Sequence, residues 1–169
     1  MVMQITVKRT GGPEVLERED GELPAPAAGE VRLRHTAIGL NYIDTYFRTG
    51  LYPAPNGLPF VPGLEAAGVI EAVGDGVTEF HAGQRVAYGT GPLGAYAEAR
   101  NIPAAKLVAL PDSIDDETAA AMMLKGMTAQ YLLRQTYEVK RSDTILIHAA
   151  AGGVGSIASS GIRSISETP

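Results

Sequence analysis

A chain of 169 residues can bury one substantial core and part of a second, and is too short for two full-sized domains. Hydrophobic residues make up 45% and charged residues 20%, while a net charge of −5 and a sequence pI near 5.2 argue against a nucleic-acid surface. The chain has no cysteine, which excludes disulfides and thiolate-held metals, and no apolar run approaches the roughly 18 residues of a membrane span.

The opening Met1-Val-Met-Gln-Ile-Thr-Val lacks the long apolar centre of a signal peptide, so a cytoplasmic chain without membrane attachment is expected. Gln4–Lys8 alternates as a strand and stops at Gly11-Gly12-Pro13, and Val15–Glu17 reads as its return. Prolines stiffen the loop Leu23–Gly29. From Glu30 to Ile38, Val31, Leu33, His35 and Ala37 share one face of a half-buried strand; His35 reads more readily as a satisfied core histidine than as a ligand. Gly39–Gly50 predicts a helix of about two turns, with Asn41 at its N-cap and Tyr42 and Tyr46 on one face. Because this segment follows a strand directly and leads into the Tyr- and Pro-rich loop Leu51–Pro62, a site-lining role for it and a plain capped helix with aromatic packing are equally compatible with the pattern.

Pro62–Gly74 reads as a strand whose internal glycine predicts a bulge or a close backbone approach. Gln84–Tyr88, Ala95–Ile102 and Lys106–Leu110 add further strands. Many short strands with glycine turns and no intervening helices point to a compact β-barrel over residues 1–112.

Residues 113–169 change character. Acidic residues at Asp112–Glu117 open a helix that runs to about Thr136 and is apolar nearly all round, which predicts burial between two bodies. Lys125 and Thr128 are its polar exceptions: Lys125 either snorkels to solvent or faces a cleft and meets a phosphate or ribose. Asp143–His148 is then expected as a strand feeding Ala149-Ala-Ala-Gly-Gly-Val-Gly155. Its small residues let backbone N–H groups approach a pyrophosphate at a helix N-terminus.

The strings Gly11-Gly-Pro-Glu-Val-Leu, Ala37 to Pro53, Glu65-Ala-Ala-Gly-Val-Ile, Leu124-Lys-Gly-Met-Thr and His148 to Gly155 occur in one order. Together they resemble the NADPH:quinone oxidoreductases, the zeta-crystallin-like branch of the medium-chain dehydrogenase/reductase superfamily. The resemblance covers residues 1 to about 158. It implies a mostly β fold with some α: a GroES-like barrel followed by the beginning of a Rossmann α/β domain. It also implies NADPH as cofactor, with Asn41 and Tyr46 near the nicotinamide, Lys125, Thr128 and Tyr131 on the long helix, and Gly152, Gly153 and Val154 at the pyrophosphate. Tyr52 is placed on the substrate side. The catalytic set is therefore Asn41, Tyr46 and Tyr52, and either tyrosine would need tuning to act as an acid.

Zinc-dependent relatives carry cysteine where this chain has Asn41, and histidine where it has Leu64, so no catalytic zinc is expected. The implied reaction is zinc-independent reduction of a quinone or related enone by hydride or electron transfer. Gly161 stands where the family usually has tryptophan. The Rossmann domain is expected to be truncated, without the adenosine half of the NADPH site, and activity is expected to be impaired. The alternative is a non-enzymatic GroES-like module that self-associates and binds the cofactor weakly or not at all; a homodimer is expected in either case.

Overall fold

The computed structural model describes residues 1–167 and divides into two compact units, Met1–Ala121 and the chain from Met122 onward. The first unit is built from β1 (Val2–Val7), β2 (Leu16–Gly21), β3 (Glu30–Gly39), α1 (Tyr42–Thr49), β4 (Glu65–Val73), β5 (Arg85–Tyr88), β6 (Ala99–Pro103) and β7 (Val108–Ala109). A helix, α2 (Asp116–Gln130), begins in this unit and continues into the second.

β1 and β2 form an antiparallel pair, and the other five strands form a second antiparallel sheet in the order β6-β3-β4-β5-β7. The period-two pattern of β3 works as expected at its start, where Val31 and Leu33 are fully buried with Ala66, Ile70, Val86, Tyr88 and Ile102. Each large side chain among these stabilises the fold by roughly 1.5–3 kcal/mol relative to exposure. Further along, the register of β3 against β4 shifts between His35 and Ala37. Gly68, opposite His35, permits this close approach, because any Cβ there would strike the Arg34 carbonyl oxygen.

Several expected strands are shorter in the structure. Val15 belongs to a 3-10 turn at Pro13–Val15, and β2 begins only at Leu16. Ala95–Glu98 is not a named strand; it joins β1 through one isolated antiparallel bridge, Gln4 to Ala97, made by Ile5 N–H to Tyr96 O at 2.8 Å and Glu98 N–H to Met3 O at 2.9 Å, and joins β3 through His35 N–H to Glu98 O at 2.8 Å. His35 itself is a satisfied histidine: its Nδ1 lies 2.7 Å from the Ala97 carbonyl oxygen, and the Tyr88 hydroxyl lies 3.0 Å from Nε2.

The start of α2 is tied to the strands. Arg85 on β5 donates from Nε and Nη2 to Asp116 Oδ1 at 3.0 and 2.6 Å, and from Nη2 to the Ile114 carbonyl at 2.6 Å. The Thr36 hydroxyl donates to Asp116 Oδ2 at 2.6 Å. Thr36 first, and Arg85 second, hold the Asp116 carboxyl below its usual value. A depressed carboxyl adds stability above its unfolded value and loses it as pH falls through the folded one. With the Arg85 and Asp116 side chains 30% and 22% exposed, Arg85→Ala is expected to cost about 2 kcal/mol at neutral pH. Urea unfolding should show that deficit shrinking below about pH 4; a deficit constant with pH would sever the link to Asp116.

The second unit holds the remainder of α2, a π-helical turn at Tyr131–Thr136, and α3 (Gly153–Glu167). The expected helix therefore changes hydrogen-bond pattern after Gln130 rather than running uniformly to Thr136. Burial of α2 is also less than its apolar composition predicts: Ala119, Ala120 and Ala129 are buried, while Met122 is 40% exposed. An all-round apolar helix needs cover on every face, and the described residues cover only part of it. The expected strand at Asp143–His148 is not formed. A strand exists by pairing, and the described residues offer this segment no neighbouring strand. Among the described residues no helix is long and apolar enough to cross a membrane.

Candidate functional site

In the first unit the candidate site is organised by the cap of α1. Asn41 has extended backbone and caps the helix; its N–H donates to Asp44 Oδ2 at 2.9 Å. At the other end Gly50 adopts the left-handed conformation that lets its N–H reach the Phe47 carbonyl. The Asn41 side chain points inward, with Nδ2 donating to Glu65 Oε1 at 2.6 Å. Glu65 opens β4 directly opposite Gly39 of β3 and is fully buried, and Asp44 and Asn41 are 5% and 7% exposed. Tyr96 completes the cluster by donating its hydroxyl to Asp44 Oδ2 at 2.8 Å. Burial first, and donation to Asp44 second, push its phenol above the ordinary tyrosine value.

Tyr46 and Tyr52 are brought together. Their rings meet edge to face with centroids 5.3 Å apart, and the Tyr52 N–H donates to the Tyr46 carbonyl at 3.1 Å. Tyr42 packs edge-on against Tyr46 at 5.6 Å, and Phe47 against Tyr52 at 5.9 Å. The result is an aromatic ladder on α1 and the following loop, half-exposed at Tyr52.

In the second unit the glycine turn folds around one carbonyl. Ala149 sits at φ 54°, and its oxygen accepts the Gly152 N–H at 2.8 Å. Gly155 is buried against the same carbonyl and the Ala150 backbone, so no side chain fits there. Gly153 and Val154 begin α3, whose first amides face the end of the turn. A Cβ at Gly153 would lie 2.8 Å from Lys125 Cδ, so the lysine stem crosses the first residue of α3. Lys125 thus adds a cation where the helix dipole is already positive, which suits a phosphate. Thr128 donates to the Leu124 carbonyl at 2.7 Å, and Tyr131 is 54% exposed at the first residue of the π-helical turn. An apolar cavity of about 560 Å³ adjoins the turn, lined by Leu133, Val139, Ile147, Ala158 and Ile162 among others. Gly161 packs beside Leu133, whose Cδ1 would be 3.1 Å from an added Cβ.

Sequence reasoning missed Glu65, Asp44 and Tyr96 as members of the Asn41 cluster. Asp44 could have been found as the acidic N3 partner of the Asn41 cap, and Glu65 as the single charge opening an apolar run. Tyr96 carries no local signal, because its place depends on a contact spanning 52 residues.

Residues 27–112 match the alcohol dehydrogenase GroES-like domain. A Pseudomonas aeruginosa quinone oxidoreductase is 61% identical over 155 residues, covering 92% of this chain and 47% of that protein. A 2-haloacrylate reductase from a Burkholderia species is 51% identical over 161 residues, covering 93% of this chain and 48% of that protein. The crystal structure of Escherichia coli quinone oxidoreductase complexed with NADPH superposes with a TM-score of 0.93 at 48% identity, covering 97% of this chain and 50% of that one. The chain spans about half the length of the curated relatives it matches.

Proposed function

This chain belongs to the alcohol dehydrogenase GroES-like domain family, and from that premise we propose that it is of the quinone oxidoreductase branch of the medium-chain dehydrogenases/reductases and carries the barrel and the opening of the nucleotide site of an NADPH-dependent quinone or enone reductase. In this proposal the barrel domain closes near residue 112, and residues 113–169 hold the linking helix and the first part of the nucleotide domain. Bound NADPH would supply the reducing equivalents. Lys125, the α3 N-terminus and the side-chain-free positions Gly152 and Gly153 would hold its diphosphate, with Val154 beside them. Thr128 and Tyr131 would line its ribose side. Asn41 and Tyr46 would orient the nicotinamide, and Tyr52 would flank an acceptor whose flat ring suits stacking. Asn41 and Leu64 offer an amide and an alkyl group, a poor donor set for zinc, so the proposed chemistry is zinc-independent.

The observation that carries this reading is the Lys125 stem lying across Gly153, which joins a cation to the glycine turn. NADPH fluorescence titration of the chain tests it. Lys125→Met is expected to weaken binding about tenfold through loss of charge-assisted bonds to phosphate. Equal affinities would remove Lys125 from the site, and no binding by the parent chain would overturn nucleotide binding for it.

The second reading, a self-associating module without catalysis, is favoured by Leu146, 82% exposed on an extended segment outside any strand. Size-exclusion chromatography separates the cases: a monomer that binds NADPH supports the reductase reading, and a dimer that ignores NADPH supports the module.

A further inference from the structure

The chain has three asparagines, and the fold shelters two of them. Asn41 is 7% exposed at the cap of α1 and is followed by Tyr42. Asn101 lies in β6, opposite Arg32 of β3, and is followed by the fully buried Ile102. Asn56 is exposed on the loop between α1 and β4, and the next residue is Gly57. Gly57 adopts φ 73°, and among the described residues no atom lies within 4 Å of where a Cβ on it would stand. Its amide nitrogen therefore has no side chain beside it to hinder an approach to Asn56.

We propose that Asn56 is a site of spontaneous covalent modification, in which the Gly57 nitrogen attacks Asn56 Cγ and closes a succinimide ring. The new N–Cγ bond replaces Cγ–Nδ2, and the proton lost by the Gly57 nitrogen leaves with the side-chain amino group as ammonia. Water then opens the ring at either carbonyl, giving aspartate or isoaspartate with no change of oxidation state. An asparagine is the thermolabile partner in such a pair, and glycine after it offers the least steric opposition. One local contact opposes the step: the Gly57 N–H donates to the Ala54 carbonyl at 2.9 Å, closing a turn with Pro55 and Asn56 at its centre. The bond must open before the nitrogen can reach Cγ. As a single hydrogen bond on an exposed loop, it is expected to slow the reaction by no more than about tenfold.

The products change the loop in two ways. Asn56 lines a cavity of about 430 Å³ together with Arg100, and among the described residues no carboxylate pairs with Arg100. Conversion adds a negative charge to that wall. Isoaspartate also lengthens the backbone by one carbon between two anchors, Tyr52 N–H on the Tyr46 carbonyl at 3.1 Å and the reciprocal Val7 and Phe60 bonds at 2.8 and 3.1 Å. The extra carbon must be absorbed in the segment that follows Tyr52.

The test incubates the 169-residue chain at mildly alkaline pH beside a synthetic peptide of residues 53–59. Mass spectrometry of proteolytic fragments locates the gain that accompanies replacement of an amide by an acid. The fragment holding Asn56 should convert within about tenfold of the peptide's rate, while Asn41 and Asn101 stay unchanged. Asn56→Gln, whose longer side chain disfavours the ring, should abolish the gain in that fragment. Conversion at Asn56 more than about tenfold slower than in the peptide would show that the turn protects it, and overturns the proposal. So does equal conversion at Asn41 or Asn101, or a gain that persists in Asn56→Gln.

Discussion

Asn41→Asp is expected to destabilise the chain by about 3–5 kcal/mol at neutral pH, the cost of an uncompensated charge placed in a buried cluster. The substitution exchanges one NH2 for one oxygen, so sterics change little and electrostatics change sign. The new carboxylate would face Glu65 Oε1 across the 2.6 Å now bridged by a hydrogen bond, with Asp44 also buried nearby. Two carboxylates at that distance cannot both ionise, so the pair would retain a proton in the folded state. That raises the folded-state value of the pair above the ordinary aspartate value near ~4. A raised carboxyl is favourable below its unfolded value and becomes a liability as pH rises through the folded one. The stability difference between parent and variant should therefore be small near pH 4 and grow toward pH 8, read by urea unfolding followed by circular dichroism. Parent-like stability at pH 7 would show that the Asn41–Glu65 contact contributes little.

His35 should make the chain acid-sensitive over a different window. Its Nδ1 faces the Ala97 carbonyl and its Nε2 faces the Tyr88 hydroxyl, an arrangement that uses one ring nitrogen as donor and the other as acceptor. Arg100 lies behind Tyr88, with its guanidinium carbon 5.5 Å from the ring centroid and Nη1 donating to the Tyr88 hydroxyl at 3.4 Å. A second positive charge at His35 would be buried and would face that guanidinium. Burial, and to a smaller extent Arg100, hold the imidazole down at about 4, against the opposing pull of the Ala97 carbonyl. The unfolded chain then binds a proton that the folded chain refuses between roughly pH 6.5 and pH 4. Stability should fall as pH drops through that range, by about 3 kcal/mol in all if His35 acts alone. His35→Gln keeps a donor and an acceptor and should flatten the slope; an unchanged slope would assign the acid sensitivity to other groups.

Much of the first unit is legible along the chain because its signals are local. Alternation marked β3, Asn41 and Gly50 marked the two ends of α1, and the glycine within β4 marked the close approach to Arg34. Aromatic spacing on α1 also brought out Tyr46, although its partner Tyr52 meets it through the loop fold rather than through helical spacing. In the second unit, the glycine motif and the lone Lys125 each stood out as exceptions to their surroundings.

What residue order alone determined was therefore the set of elements whose cause lies within about a turn or a strand: caps, alternation and glycine turns. Tertiary structure alone decided which of these meet. It placed Glu65 behind Asn41, drew Tyr96 onto Asp44 across 52 residues, laid Lys125 over Gly153, and left Asp143–His148 without the partner a strand requires. The physical reason is that a cap or an alternating pattern is a property of neighbouring residues, whereas a buried hydrogen bond or a ladder is a property of two segments. The second segment can be identified only once the backbone has brought it within reach.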